Sequence, residues 1–265
     1  MLRNMESLEA SAVGEDLLNE LRRRGSVSLE IAVETQDNVY ALFRGHLAPA
    51  SDQPLITPYS VALSPSSKKV GVRASFEGNY LVLTMEGEAR AYRRPGESSS
   101  DVVNLGEAVK IASVLGSTLS GELDLHVVKL LKHLIISKDD EPGRTLELAQ
   151  RYVGAGGGST PSFDDFLAGY LTGWGSSLQA YLDLSNTTQL SRSILSEVIT
   201  DRDYLIEVAA LRECLKGRGD LYSSSLRVAS MGGSSGTFML LGVLSAALQK
   251  SGRKDLMTAL WNSLS

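Results

Sequence analysis

The sequence predicts an α+β protein in which a β-rich N-terminal domain is followed by a mostly helical C-terminal one. Three observations carry that prediction. Between residues 26 and 92 the apolar residues fall in short alternating or β-branched runs, separated by Gly, Pro, Asn and Ser. Beyond residue 101 they recur at helical spacing in one segment after another. Between the two lies RRPGESSSD, residues 93–101, a polar break rich in turn formers. The expected domains are 1–96, β-rich with an N-terminal helix, and 97–265, helical and carrying two glycine-rich loops.

Taken in order, residues 5–24 (MESLEASAVGEDLLNELRRR) read as an amphipathic helix stopped by Gly25. SVSLEIAVE, NVYALFR, ITPYSVALS, KKVGVRASF, NYLVLTME and EARAYRR then read as strands of an antiparallel or mixed sheet. Glu77-Gly78-Asn79 and Glu86-Gly87-Glu88 read as hairpin turns. Helices are predicted at VVNLGEAVKIASVLG, LDLHVVKLLKHLIIS, TLELAQRYVG, FDDFLAGYLTGW, LSRSILSEVI, DYLIEVAALRECLKG, LYSSSLRVASMG, TFMLLGVLSAALQK and DLMTALWNSLS, several of them ending on Gly.

Composition narrows the function classes. A formal charge of −5 over 265 residues gives no electrostatic footprint for nucleic acid. The longest smooth apolar stretch, FMLLGVLSAAL at 238–248, is about half of a membrane span. The N-terminus carries acids where a secretory signal is apolar, and the single cysteine, Cys214, sits at helical spacing as a small hydrophobe. A cytoplasmic protein without nucleic-acid or membrane partners is the expectation.

The chemistry concentrates in GAGGGSTPSFDDF, residues 154–166. Phe163, Phe166, Leu167, Tyr170, Leu171 and Trp174 follow at i, i+3, i+4, i+7, i+8 and i+11, which puts this loop at a helix N-terminus. Either Thr160 caps with Pro161 at the first helical position, or Ser162 caps with Asp165 as its partner. Both registers aim backbone N–H groups at one point, an arrangement suited to an anion.

The loop has a second copy. Ser162–Leu171 aligns without gaps on Ser235–Leu244, an offset of 73 residues (235 minus 162), and Ser162, Leu167, Gly169 and Leu171 recur as Ser235, Leu240, Gly242 and Leu244. Gly169 and Gly173, like Gly242 and Ala246, are four apart, as at a close helix crossing.

Asp164 and Asp165 complicate anion binding. A bound anion about 4 Å from one carboxylate is opposed by roughly 4 kcal/mol at an effective dielectric near 20, whereas a helix terminus offers about 1 kcal/mol. Either Mg²⁺ bridges aspartates and anion, or the aspartates are the loop's own anions and cap the helix.

The glycine-rich run with its Thr-Pro-Ser-x-Asp-Asp-Phe-Leu-x-Gly continuation, Thr187-Thr188-x-x-Ser191, and the distal Gly-Ser-Ser-Gly at 233–236 together resemble the AllH family. The named member of that family belongs to the oxamate carbamoyltransferase system of allantoin degradation. The resemblance implies site positions at Gly156, Gly158, Thr160, Pro161, Ser162, Asp164 and Asp165, and at Gly233, Ser235 and Gly236. The sequence departs from the family pattern at Ser159, where leucine is usual, at Phe163, where glycine is usual, and near Phe238, where an acid is frequent.

The resemblance implies a transferase or transferase subunit acting in carbamoyl or phosphoryl transfer in purine or nitrogen catabolism. Gly156, Gly157, Gly158, Ser159, Thr160 and Ser162 would hold a small anionic metabolite, with Gly233, Ser234, Ser235 and Gly236 closing the site. Asp164 and Asp165 would bind Mg²⁺ or position a nucleophile. The other reading is a non-catalytic or regulatory partner subunit, or a homo-oligomer, that uses the paired helix starts for assembly.

Elsewhere, His126 and His133 are seven apart and read as a polar helix edge rather than a metal pair, and His46 reads as a loop residue. Ser223, Ser224 and Ser225 lack a nucleophile-elbow context. Arg192 and Arg227 lie near the motifs and read as surface residues or partners for an anion.

Overall fold

The computed structural model describes residues 8–35, 38–52, 54–65, 71–95, 101–118, 124–136, 142–178 and 181–264. The fold is α+β, and its packing divides into two compact units, Met1–Arg94 and Pro95–Ser265. Residues 96–100 of the polar break lie outside the described residues.

In the first unit β1 (Leu8–Gly14), β2 (Ser26–Glu34), β3 (Val39–Phe43), β4 (His46–Ser51), β5 (Val61–Pro65), β6 (Val72–Glu77), β7 (Tyr80–Met85) and β8 (Arg90–Tyr92) form one mixed sheet. The order is β5-β4-β3-β2-β7-β6-β1-β8, and β1 also pairs with β5, so seven strands close into a barrel. Closure removes most of the free sheet edge, which would otherwise be a template for aggregation. Along β2 the predicted alternation is an alternation of burial, with Val27, Leu29 and Ile31 inward. Helix α1 (Glu15–Arg24) adds Leu17, Leu18 and Leu21 to the same core.

Four expectations are corrected here. Residues 8–14 are a strand, not the first half of a helix, and residues 5–7 lie outside the described residues. β1 pairs antiparallel with β5 on one edge, and antiparallel with β6 and parallel with β8 on the other; these tertiary partners override the local helix preference of its alanines. The first half of ITPYSVALS is a turn, closed by Ser60 N–H donating to the Thr57 carbonyl at 3.2 Å. Gly78 does turn β6 into β7, but Glu86-Gly87-Glu88 is no hairpin, because β8 runs parallel to β1. His46 opens β4 and stacks on Tyr59 with ring centroids 4.7 Å apart.

In the second unit each of the nine predicted helical segments contains a helix: α2 (Leu105–Thr118), α3 (Leu125–Ile136), α4 (Pro142–Ala149), α5 (Ser162–Trp174), α6 (Gln189–Thr200), α7 (Ile206–Leu215), α8 (Leu221–Ala229), α9 (Ser235–Lys250) and α10 (Lys254–Ser263). α5 and α9 are central. Ser162–Gly173 and Gly236–Leu248 are buried on every face, as expected of helices apolar all round. An aromatic ladder runs along α5, with ring centroids 6.4 Å apart for Phe163–Phe166, 5.9 Å for Phe166–Tyr170 and 6.0 Å for Phe166–Trp261.

The two central helices meet backbone to backbone. A Cβ on Gly169 would lie 2.0 Å from the Met239 carbonyl oxygen, and one on Gly242 would lie 2.2 Å from that of Phe166. Under the 73-residue offset Gly169 maps to Gly242 and Phe166 to Met239, so each contact is the other with the copies exchanged. That reciprocity is what a local two-fold between the repeats requires. Gly169→Ala and Gly242→Ala are therefore each expected to cost at least about 3 kcal/mol, because the obstacle is backbone and cannot rotate away. Gly157→Ala, whose added Cβ meets nothing within 4 Å, should cost less than about 1 kcal/mol. Denaturant midpoints followed by helical circular dichroism measure the difference; equal losses at all three positions would remove the crossing as a constraint.

Candidate functional site

The loop before α5 folds back over the helix it introduces. Gly156, at φ 109°, passes so close to the helix start that a Cβ would lie 2.8 Å from the Ser162 nitrogen. Phe163 N–H donates to the Ala155 carbonyl at 3.1 Å, and Asp164 and Asp165 N–H donate to Pro161 at 2.9 and 3.1 Å. Pro161 is the N-cap, without side-chain capping, so neither predicted capping register is adopted. The helix-start N–H groups serve the loop itself. The N–H groups of Gly156, Gly157, Gly158 and Ser159, all exposed, have no partner among the described residues.

Both aspartates turn inward, 1% and 3% exposed for Asp164 and Asp165. Asp164 accepts from Gly154 N–H at 2.8 Å through Oδ1 and from the Thr187 hydroxyl through Oδ2, and the nearby Ser191 hydroxyl also favours its charged form. Asp165 accepts from Thr160 Oγ1 at 3.2 Å, and the nearby Ser235 hydroxyl also favours its charged form. Thr160 Oγ1 and Ser235 Oγ are themselves 3.0 Å apart, which ties the first glycine-rich loop to the start of α9. Thr188 caps α6 by accepting from Ser191 N–H and donates to the Ser159 carbonyl at 2.7 Å.

The predicted residues thus converge, with changed roles. Thr160, Asp165 and Ser235 form one linked group, and Asp164 belongs to an adjoining one with Gly154, Thr187 and Ser191. Ser162 is buried at the helix start. Gly233 is exposed and Ser234 half-buried beside Ser235, whereas Gly236 is a packing residue, its Cβ position 1.9 Å from the Val228 carbonyl oxygen. Sequence reasoning missed Gly154 and Ala155 as partners of the helix start. Arg192, read from the sequence as a surface residue or a partner for an anion, donates instead to the carbonyls of Leu184, Ser185 and Thr187 at 3.0 to 3.4 Å and so shapes the segment that presents Thr187.

Burial raises both carboxyls above the ordinary aspartate range, and for Asp165 the hydrogen bonds from Ser235 and Thr160 leave it at about 7. A Mg²⁺ ion held here would need carboxylate oxygens facing it in near-octahedral array. Both Asp164 oxygens and Oδ2 of Asp165 already accept from protein donors. No group of three His, Cys, Asp or Glu side chains among the described residues is arranged to hold a metal.

The remaining candidates have structural duties. His126 and His133 are exposed on α3, Arg227 pairs with Glu207 at 3.0 Å, and the Ser223 hydroxyl donates to Asp220, the cap of α8. Ser224, Ser225 and Cys214 are buried, and burial pushes the Cys214 thiol up. No helix among the described residues is long and apolar enough to cross a membrane.

The elements that meet in this knot, from Tyr152 before the first loop to α9, form one continuous stretch of chain. Residues 152–247 match the family model of AllH, described as oxamate carbamoyltransferase subunit AllH. Comparison of the chain with curated proteins and with solved structures returns no match. The AllH-matched span contains both glycine-rich loops, both aspartates and the Thr187-Thr188 segment, so the motifs that carried the resemblance are the parts that touch one another.

Asp165 gives this AllH-like knot a pH signature. Its carboxyl rises from 3.8 to about 7 on folding, so the folded chain keeps a proton that the unfolded chain releases in that window. The stability it contributes is full below about pH 4, declines as pH rises, and is lost above about pH 7. Asp165→Asn keeps a neutral hydrogen-bonding group there and should remove that decline, leaving the variant more stable than wild type at pH 8 by up to about 4 kcal/mol. Melting temperatures of both proteins from pH 5 to pH 8 test it. A variant less stable by a constant amount at every pH would mark Asp165 as an ionised cap instead.

Proposed function

We propose that the paired loops bind a small anionic metabolite and that the protein serves, as the AllH match suggests, within a carbamoyl-transfer or related group-transfer system. One observation carries the reading. Two exposed glycine turns are held side by side through Thr160 and Ser235, and the N–H groups of Gly156, Gly157, Gly158 and Ser159 lack partners among the described residues. Exposed backbone N–H groups on glycine turns suit carboxylate or phosphate oxygens.

The electrostatic objection raised by the aspartates is answered within the protein. Asp164 is held by Gly154 N–H and the Thr187 hydroxyl, and burial raises Asp165 to about 7, so a bound anion meets less negative charge than the sequence counts. In the reaction class implied, the loop N–H groups would steady negative charge on the transferred group, and Asp165, reaching the loops through two hydroxyls, would hold or release a proton.

A second reading keeps the anion but not the chemistry. In the repeat, the position of Asp165 is taken by Phe238, fully buried, so the second loop brings no acid of its own. That favours a regulatory or partner subunit in which ligand binding sets assembly.

Calorimetric titration of oxamate, carbamoyl phosphate and inorganic phosphate, each with and without Mg²⁺, tests the proposal. Binding should be metal-independent, and saturation at a hundred times the dissociation constant should stabilise the protein by about 2.7 kcal/mol. Gly158→Ala, at φ 92° on the exposed loop, should weaken binding about tenfold or more while leaving the core intact. Binding that requires Mg²⁺ would restore a metal-bridged site, and no binding of any of the three would leave the assembly reading.

A further inference from the structure

We infer that the barrel unit carries a separate oxyanion site, for inorganic phosphate or a small phosphomonoester, in the cleft between α1 and β8. The cleft has a volume of about 280 Å³ and is lined by Glu15, Leu18, Asn19 and Arg22 of α1 and by Ala91 and Arg93 of the β8 edge. Glu15, Asn19 and Arg22 fall at i, i+4 and i+7, one face of the helix. Ala91 and Arg93 fall at i and i+2, one face of an extended segment. Two elements therefore each contribute an arginine to one hollow, which the buried Leu18 also lines.

The contrast with the neighbouring arginines makes this more than surface charge. Arg23, Arg24 and Arg44 all pair with Glu20, at 2.6, 2.8 and 3.3 Å. Arg94 pairs with Glu15 at 3.1 Å and Asp16 at 3.0 Å, so the one carboxylate lining the cleft is already committed. Arg22 and Arg93 alone of this group make no ion pair or hydrogen bond among the described residues. The position of Arg22 in the last turn of α1 complements the helix dipole, but that leaves the presence of Arg93 opposite it unexplained. Two unpaired, planar, permanently charged donors sharing one small cleft suit an oxyanion with several acceptor oxygens. The volume suits a metabolite-sized group rather than a nucleic acid.

Arginine-selective modification of the full chain with phenylglyoxal, read residue by residue by mass spectrometry, tests the site. Inorganic phosphate, phenyl phosphate and potassium chloride are compared at equal ionic strength. Either phosphate should slow modification of Arg22 and Arg93 by about threefold once it stands near twice its dissociation constant, with Arg23 and Arg24 changed much less. Greater protection by phenyl phosphate marks the phosphomonoester as the better ligand, and equal protection marks the phosphate group alone as recognised. In Arg22→Gln, an exposed change that spares the core, the protection of Arg93 should disappear. Equal slowing at all four arginines, none at Arg22 and Arg93, or protection of Arg93 that persists in Arg22→Gln would each overturn the proposal.

Discussion

The backbone contact between α5 and α9 is the constraint on which the helical unit's chemistry depends. Helices that touch through side chains lie about 8–10 Å apart. Here carbonyl oxygens of each helix occupy the space where a Cβ of the other would be, at Gly169 and Gly242. The consequence appears one to two turns away, at the helix starts. Thr160, just before α5, and Ser235, the first residue of α9, fall within hydrogen-bonding distance only because the crossing brings the two N-termini together. A wider crossing would leave two unrelated glycine turns.

That closeness creates a cost which the rest of the AllH-matched segment answers. Two adjacent carboxylates at the start of a fully buried helix are desolvated, and a buried charge without partners is among the most expensive features a fold can carry. Gly154, Thr187 and Ser191 serve Asp164, while Thr160 and Ser235 serve Asp165. The three motifs therefore co-occur for one physical reason: each supplies donors to the same pair of acids. Asp165, with hydroxyl donors alone, resolves the remaining cost by keeping its proton.

What the sequence made legible was periodicity. Helical spacing located every helix of the second unit, and the gapless repeat located the crossing, because both are patterns of side-chain size along one segment. Residues 8–14 failed that test: Ala10 and Ala12 favour a helix locally, and pairing with β5, β6 and β8, more distant in sequence, overrides that preference. The site failed in a similar way. Thr187 and Ser191 reach Asp164 from 23 and 27 residues along the chain, and the Ala155 carbonyl takes a helix-start N–H that local reasoning reserved for a ligand. The motif residues were visible; their partners were tertiary.

The repeat also separates geometry from chemistry. The 73-residue offset maps Asp164 to Thr237 and Asp165 to Phe238. Phe238 is fully buried, and the Thr237 hydroxyl, also buried, has no hydrogen-bond partner among the described residues. The two halves are alike in backbone, since the crossing demands small residues at equivalent places in both. Their helix starts are free to differ, because only one acidic pair fits over the junction without two sets of like charges opposing each other. One half supplies the carboxyls and the larger glycine loop, and the other supplies Ser235, the hydroxyl that reaches across. A symmetric scaffold thereby holds a one-sided site, and it is at Ser235 that the second copy still acts on the first.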